Sequence, residues 1–376
     1  MSAPPALRVA LVISAPGWRG SGASFAKVAQ GLTARGHDVL VLTGAPRLTA
    51  RFVEEGLKVR QLPMRDTGPR EVWSLLREFR RQGTGVAMAD GPRDLRLCAY
   101  AALPLRIPLV YRFNLNHRRA RNHLMDRVYF RRVRSLVFQS EFARTLAYRQ
   151  SPWMRRAPAP QIPNGYDTAR FAPDPAAGRA FRASLGISPE ATVVLTPGKL
   201  ARNKGHDVAF DALQRLAGWG RAPGAYVVLG DGIRERELKT LAQELQVPTW
   251  FTGFLAPEDV AAALNAADLV VHPSSHEIFP NAVGEAMACG RPVVAMDSGG
   301  TPELVGTDGT AGVLVPPRDP AALAQAIGAL LADDERRAAL GAAARERIRR
   351  TFPLRRMIDG YEQVFSDLVR ARPRSV

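Results

Sequence analysis

The chain has 376 residues, 46% of them apolar, and carries 52 Lys+Arg against 35 Asp+Glu, a formal net charge of +17. That length makes two ordinary domains or one large one, and the apolar fraction excludes global disorder. No apolar run reaches the roughly 18 residues of a membrane span, and the two cysteines, Cys98 and Cys289, are too few and too far apart for a disulfide framework or a zinc site, so a reduced, cytoplasmic setting is expected.

The first apolar run, residues 7–13, contains Arg8 and has no basic region ahead of it, so it reads as a strand and not as a secretory leader. A loop of small residues with Gly17, Gly20 and Gly22 is expected over 16–24. A helical pattern then runs through Phe25, Val28, Ala29 and Leu32 to Gly36, which suits a C-terminal cap, and a strand follows over Asp38–Thr43. Strand, glycine loop, helix, strand within about 40 residues is a βαβ unit and requires a parallel sheet. Strands are expected next at 57–62, 85–89, 109–113 and 136–139, with a helix at 71–81 and an arginine-dense helix at 118–134. The alternation predicts an open doubly wound α/β domain over 1–170.

From Pro152 to Pro189 the pattern dissolves into proline, alanine and glycine, and residues 171–189 read as an interdomain linker. The same grammar restarts over 190–351. Strands are expected at 191–196, Ala225–Leu229, 249–252, Leu269–His272 and 292–295, the last completing the core. Helices lie between them, and helices at 320–331 and 334–350 pack on this second domain. The amphipathic stretch 352–369 is expected to return to the first domain. The fold class is therefore α/β, with two Rossmann-like doubly wound domains facing across a cleft.

Charge separates the halves. Residues 1–187 hold 31 Lys+Arg and 12 Asp+Glu, whereas residues 188–376 hold 21 and 23. Only five of the 52 basic residues are lysine, so a general preference for arginine contributes, but such a preference would not leave the second half neutral. A basic domain points to an anionic partner: a phosphorylated small molecule, an acidic membrane surface or nucleic acid. No helix-turn-helix or aromatic-interleaved basic motif is present, which argues against nucleic acid.

In open α/β sheets ligands sit beyond the carboxyl ends of the strands. There the second half places Lys199 and Lys204 in the loop from Gly198 to Gly205, two cations beside glycines that let a backbone approach a diphosphate closely. The segment from His276 to Glu285 is more telling. Pro280 suits a helix start and Gly290 its end, so the amides near Phe279, Asn281 and Ala282 make an anion site at a helix N-terminus. Glu277 precedes that helix and Glu285 lies one turn inside it. A carboxylate accepts two hydrogen bonds and matches a vicinal diol, so this pattern suits a nucleotide sugar, with hydroxyls at both ends and negative charge between.

These residues, together with Gly230-Asp231-Gly232, Phe251-Thr252-Gly253, His272-Pro273-Ser274, the seven-residue gap between Glu277 and Glu285, Ala286-Met287-Ala288-Cys289-Gly290 and Gly299-Gly300, resemble the retaining glycosyltransferases of family 4, which have the two-domain GT-B architecture. The resemblance implies that Lys199 and Lys204 bind the donor diphosphate and stabilise the leaving group. It implies that Glu285 holds the ribose, and that Glu277 with the segment Ile278, Phe279, Pro280 and Asn281, whose amides other than that of Pro280 can donate, holds the transferred sugar and its phosphate. Gly198 would admit the diphosphate, Gly253 and Phe254 would line the base pocket, and Gly20 and Gly22 would approach the phosphates from the first domain. Position 199 is typically arginine in the family; Lys199 keeps the charge and loses the bidentate fork.

Two departures lie in the first domain. Where many relatives carry histidine, this chain has Asn114 and Asp90; both are expected to contact sugar or acceptor. The reaction implied is transfer of a sugar from a nucleotide diphospho-sugar to an acceptor hydroxyl in cell-envelope glycan or glycolipid synthesis. A nucleotide-sugar epimerase or a non-catalytic binder is the alternative. No Asp-x-Asp motif is present, so no metal and no further cofactor is expected. The arginines Arg118, Arg119, Arg121, Arg127 and Arg131 suit an anionic or lipid-linked acceptor, or a peripheral contact at the inner face of the plasma membrane.

Overall fold

The computed structural model describes residues 6–15, 17, 18, 20–114 and 124–371. The chain divides into two compact units, one made of Met1–Gly165 with Leu354–Val376 and the other of Tyr166–Pro353.

In the first unit six parallel strands form one sheet: β1 (Arg8–Ile13), β2 (Asp38–Thr43), β3 (Val59–Gln61), β4 (Val86–Ala89), β5 (Leu109–Arg112) and β6 (Val133–Val137), in the order β3-β2-β1-β4-β5-β6. Val9 pairs with Val39 on one side and with Val86 on the other. The central strands are continuous apolar runs because helices cover both faces of the sheet. Strand order reverses between β1 and β4, so the chain after Ile13 and after Ala89 leaves the sheet at a topological switch point. The helix Leu354–Arg370 packs on the helix Gly20–Ala34, with Ile358 against Gly31 and the Arg35 guanidinium paired to Asp359 at 2.6 Å and also to Glu362.

The second unit repeats the plan with β7 (Val193–Pro197), β8 (Ala225–Leu229), β9 (Thr249–Gly253), β10 (Leu269–His272), β11 (Val293–Met296) and β12 (Val313–Val315), all parallel in the order β12-β11-β10-β7-β8-β9. Its switch point lies between β7 and β10, and the chain leaves these strands at Gly198 and Pro273.

Several elements differ from the sequence reading. The stretch 171–189, expected as a linker, contains the helix Pro175–Ser184 and belongs to the second unit. Asp174 caps it by accepting from the Ala177 amide, and Arg182 ties it to Asp268 at 2.9 Å, so here proline marks a helix start. β12, unread in the sequence, adds an edge strand beyond β11. The loop expected over 16–24 ends early: the helix starts at Gly20, with the Ser24 hydroxyl donating to the Gly20 carbonyl at 2.9 Å. Of the arginine-dense helix at 118–134, the described part is Leu124–Phe130, and Arg134 lies in β6. Helices at Pro46–Glu54 and Glu141–Gln150 went unread in the sequence.

Candidate functional site

In the second unit three loops at the carboxyl edge lock together around Lys204 and Glu277. Gly205 takes a left-handed φ of 68°, and a Cβ there would meet the Pro273 carbonyl oxygen at 2.1 Å, so only glycine lets these loops touch. The Ser274 hydroxyl donates to the Asn203 carbonyl at 3.1 Å, and the Ser298 hydroxyl donates to the Ser274 carbonyl at 2.9 Å. The Gly300 amide donates to the Glu277 carbonyl at 2.9 Å, while Gly299 passes so close that a Cβ would meet that same oxygen at 2.0 Å. The backbone of Glu277 is therefore fixed from two sides. Its side chain pairs with Lys204, Nζ to Oε1 at 2.5 Å, with only 14% of the Glu277 side chain exposed.

Burial alone would raise the Glu277 carboxyl, but His272 and Lys204 beside it outweigh that and hold it at about 2. The group is thus an ionised acceptor, suited to hydroxyl hydrogen bonds and too acidic to take a proton at neutral pH. Lys199 sits on the same loop as Lys204. Its carbonyl accepts from His206 Nε2 at 3.1 Å, and burial pushes that imidazole down to about 4, so His206 is neutral. The loop Gly230-Asp231-Gly232 is laid on this segment: the Leu200 amide donates to the Asp231 carbonyl at 2.8 Å, and Gly230 bridges to Gly253. Phe254, the next residue, is exposed.

The helix Asn281–Ala288 begins one residue later than read, with Pro280 as its cap and no side chain bonded to its end. Its first-turn amides at Asn281 and Ala282 carry the partial positive charge of a helix N-terminus. Gly284 leaves room for the buried Tyr166, whose ring would lie 2.0 Å from a Cβ at that position, and the Tyr166 hydroxyl donates to the Pro280 carbonyl at 3.4 Å. Glu285 is half-buried one turn in. The Phe279 side chain packs on Phe352 in the core, 5.3 Å between ring centroids, so only its backbone faces the site. Ile278 is also packed against that core.

In the first unit Asp90 and Asn114 stand together at the ends of β4 and β5. Asp90 is bound internally: Arg112 Nη1 donates to it at 2.9 Å, with both side chains 6% exposed. Arg112 Nη2 donates to Asn164 Oδ1 at 3.2 Å, and the Ser24 hydroxyl reaches the same oxygen at 3.3 Å. Asn114 Nδ2 donates to the Asp90 carbonyl and, at 3.2 Å, to its carboxylate. Asp90 therefore orients Asn114 and is not an open acceptor for sugar. Gly22, read as a phosphate contact, is buried in the helix under Trp18 and Leu48. Gly20 is exposed at the start of that helix. Asp94, fully buried with one carboxylate oxygen unpartnered, accepts from the Ser14 amide at 3.2 Å, and burial pushes its carboxyl up to about 7. Arg127 and Arg131 are exposed; Arg118, Arg119 and Arg121 lie outside the described residues. Among the described residues no three His, Cys, Asp or Glu side chains gather as a metal set.

Sequence reasoning missed Arg112, Asn164, Tyr166, His206 and His272 as site residues. Arg112 and His272 end apolar strands, where they look like core, and Asn164, Tyr166 and His206 stand beside glycines, where they look like turn residues.

Two doubly wound units, one carrying a cation-and-carboxylate site at its switch point, define the GT-B class. The profile described as glycosyl transferases group 1 matches residues 179–347, and that of glycosyltransferase family 4 matches residues 18–170. The chain belongs to this glycosyltransferase family. It is 35% identical over 220 residues to a D-inositol 3-phosphate glycosyltransferase of Corynebacterium kroppenstedtii, covering 56% of this chain and 48% of that protein. It is 37% identical over 194 residues to a GDP-mannose-dependent alpha-(1-6)-phosphatidylinositol monomannoside mannosyltransferase of Mycolicibacterium smegmatis, covering 49% and 50%. The chain thus spans about half the length of the curated relatives it matches. Among solved structures the Anabaena protein HepE in complex with UDP shares the fold, with a TM-score of 0.83 and 21% identity over 96% of this chain and 100% of that one.

Proposed function

We propose that this chain transfers a sugar from a nucleotide diphospho-sugar to an acceptor hydroxyl with retained anomeric configuration and without a metal ion. The observation that carries this reading is the Lys204–Glu277 pair held by three interlocked loops beside an uncapped helix start. The bond between the anomeric carbon and the diphosphate oxygen breaks as the acceptor oxygen bonds to that carbon on the same face, and the acceptor's hydroxyl proton passes to the departing diphosphate oxygen. The barrier lies in separating an oxocarbenium-like sugar from the departing diphosphate. Lys199, Lys204 and the amides of Asn281 and Ala282 meet the growing negative charge, preorganised where water would otherwise have to reorient. Glu277 accepts from hydroxyls of the transferred sugar and Glu285 from the ribose. Phe254 and Gly253 flank the base.

The acceptor is an anionic polyol or a lipid-linked glycan, used at the inner face of the membrane in envelope synthesis. The basic excess of the first half and the exposed Arg127 and Arg131 support this, as do the acceptors named for the two relatives above. Among the described residues no helix is long and apolar enough to cross a membrane.

The test is to incubate the chain with UDP- and GDP-sugars in excess EDTA, with and without inositol phosphate or phosphatidylinositol vesicles, and to follow free nucleotide and product anomers by NMR. Acceptor-dependent release of nucleotide with retained configuration is expected. Turnover that needs manganese, an inverted product, or an isomerised sugar without acceptor would each overturn the corresponding part, the last in favour of an epimerase.

A further inference from the structure

His272, the last residue of β10, is an anomaly inside the second unit. Its side chain is 4% exposed, yet neither ring nitrogen has a hydrogen-bond partner. Buried polar atoms are almost always satisfied, so an orphaned imidazole calls for a reason. Its Nε2 lies 3.5 Å from Glu277 Oε1, too long for a well-formed bond, and that same oxygen is the one Lys204 Nζ occupies at 2.5 Å.

One ammonium group cannot serve two anions at full strength. Without a ligand Lys204 closes on Glu277. A diphosphate, with more charge and more acceptor oxygens, draws it away. Glu277 would then be a carboxylate with little solvent and no partner, an arrangement that costs several kcal/mol. Its backbone cannot follow Lys204, because Gly299 and Gly300 pin the carbonyl. What can move is the carboxylate, by roughly half an ångström, which closes the gap to His272 to hydrogen-bond length. With its proton on Nε2 the imidazole then donates one bond. His206, also buried and near His272, already has its Nε2 on the Lys199 carbonyl and cannot take this place.

We infer that His272 is a positioning residue for Glu277: when Lys204 turns to the donor diphosphate, His272 takes over the carboxylate and keeps it aimed at the transferred sugar. This rests on the donor reading given above. It separates two jobs that the loop cations and the carboxylate perform, since a sugarless nucleotide needs Lys204 and has no use for Glu277.

The experiment compares wild type, His272→Leu and His272→Gln with UDP-glucose and GDP-mannose as donors and with UDP and GDP as sugarless probes. His272→Leu is expected to lower donor turnover about tenfold while leaving nucleoside diphosphate affinity within about twofold. His272→Gln, whose amide nitrogen reaches the Nε2 position, is expected to recover most of the loss. In a Glu277→Gln background His272→Leu should do nothing further, because the two act through one contact. The inference is overturned if His272→Leu keeps wild-type turnover, if sugar and sugarless ligands weaken in equal proportion, or if the effects of His272→Leu and Glu277→Gln simply multiply. Should His272→Leu fail to fold, the Gln variant decides: loss of both ligand classes together overturns the inference, and near wild-type turnover supports it. A wild-type chain that binds none of the four probes overturns the donor reading as well, whereas wild-type turnover with an indifferent His272→Leu overturns this inference alone.

Discussion

Replacing Lys204 with methionine removes the ammonium group and keeps most of the side-chain volume, so it isolates the charge. Glu277 is held at about 2 against an ordinary 4.5, a difference worth about 3 kcal/mol of stability at neutral pH. His272 and Lys204 supply it together, so losing the ammonium gives up on the order of 1–2 kcal/mol, further weighted by the carboxylate it leaves buried. The direction with pH follows from the depressed carboxyl. In the wild type the stabilisation is complete above the unfolded value near 4.5 and is lost as pH falls toward 2. About 1 kcal/mol has gone by pH 4 and about 2 kcal/mol by pH 3. In Lys204→Met the carboxyl titrates higher, so the variant has less to lose to acid than the wild type. The gap between the two should therefore be widest near pH 7, still about 1 kcal/mol at pH 3, and close only as pH approaches 2. With two units in the chain a single unfolding curve is not well defined; exchange protection of β7 and β10 amides reports on the second unit by itself. A gap that stays constant with pH, or a variant as protected as wild type at pH 7, would refute the pairing.

Glu285→Ala should weaken UDP or GDP binding about 10- to 100-fold, the value of a charge-assisted bond to ribose, and leave protection of β7 unchanged; calorimetry with the sugarless nucleotide checks it. Asp94→Asn should stabilise the first unit. The Asp94 carboxyl is raised by burial to about 7, so the folded state takes up its proton first, and wild-type stability falls as pH rises from about 4 to 7. The gain from Asn, about 2 kcal/mol allowing for relaxation, should be present in β1 and β4 exchange at pH 8 and absent at pH 4. Arg112→Met leaves Asp90 buried without its partner and should cost about 3–5 kcal/mol in the same exchange measurement, with Asp90→Leu in the same chain restoring much of it.

How much of this was legible in the sequence depended on whether a signal was local. Strands such as Ala225–Leu229 and Leu269–His272 are short apolar runs bounded by glycine or proline, and their observed ends match the reading. The helix Pro175–Ser184 was hidden by its own start signal: proline and small residues look like a linker until Asp174 is seen capping and Arg182 is seen reaching Asp268. The helix Pro46–Glu54 was obscured likewise, since Ala45 provides no cap side chain and the proline opens it. β12 is three residues long and pairs along one side, too brief to show a period.

The same division runs through the site. Lys204, Glu277 and Glu285 are charged residues at strand ends and a helix start, and their types and spacing express a chemistry before any coordinates. The residues that make that chemistry geometric carry no such mark. His272 ends a run of Leu, Val and Val; Tyr166 and Arg112 are buried among apolar neighbours. Glycines are the intermediate case. Gly284 stands in the sequence as one small residue in a helix of small residues, yet its missing Cβ is the space Tyr166 fills, and Tyr166 in turn holds the Pro280 carbonyl at the start of that helix. A candidate ligand contact can thus be read from one residue and its spacing, whereas the support behind it is a relation between residues more than 100 positions apart. That is why Asp90, chosen for its place in a motif, proved to be half of an internal pair: its partner Arg112 lies on another strand, and nothing near Asp90 in the chain announces it.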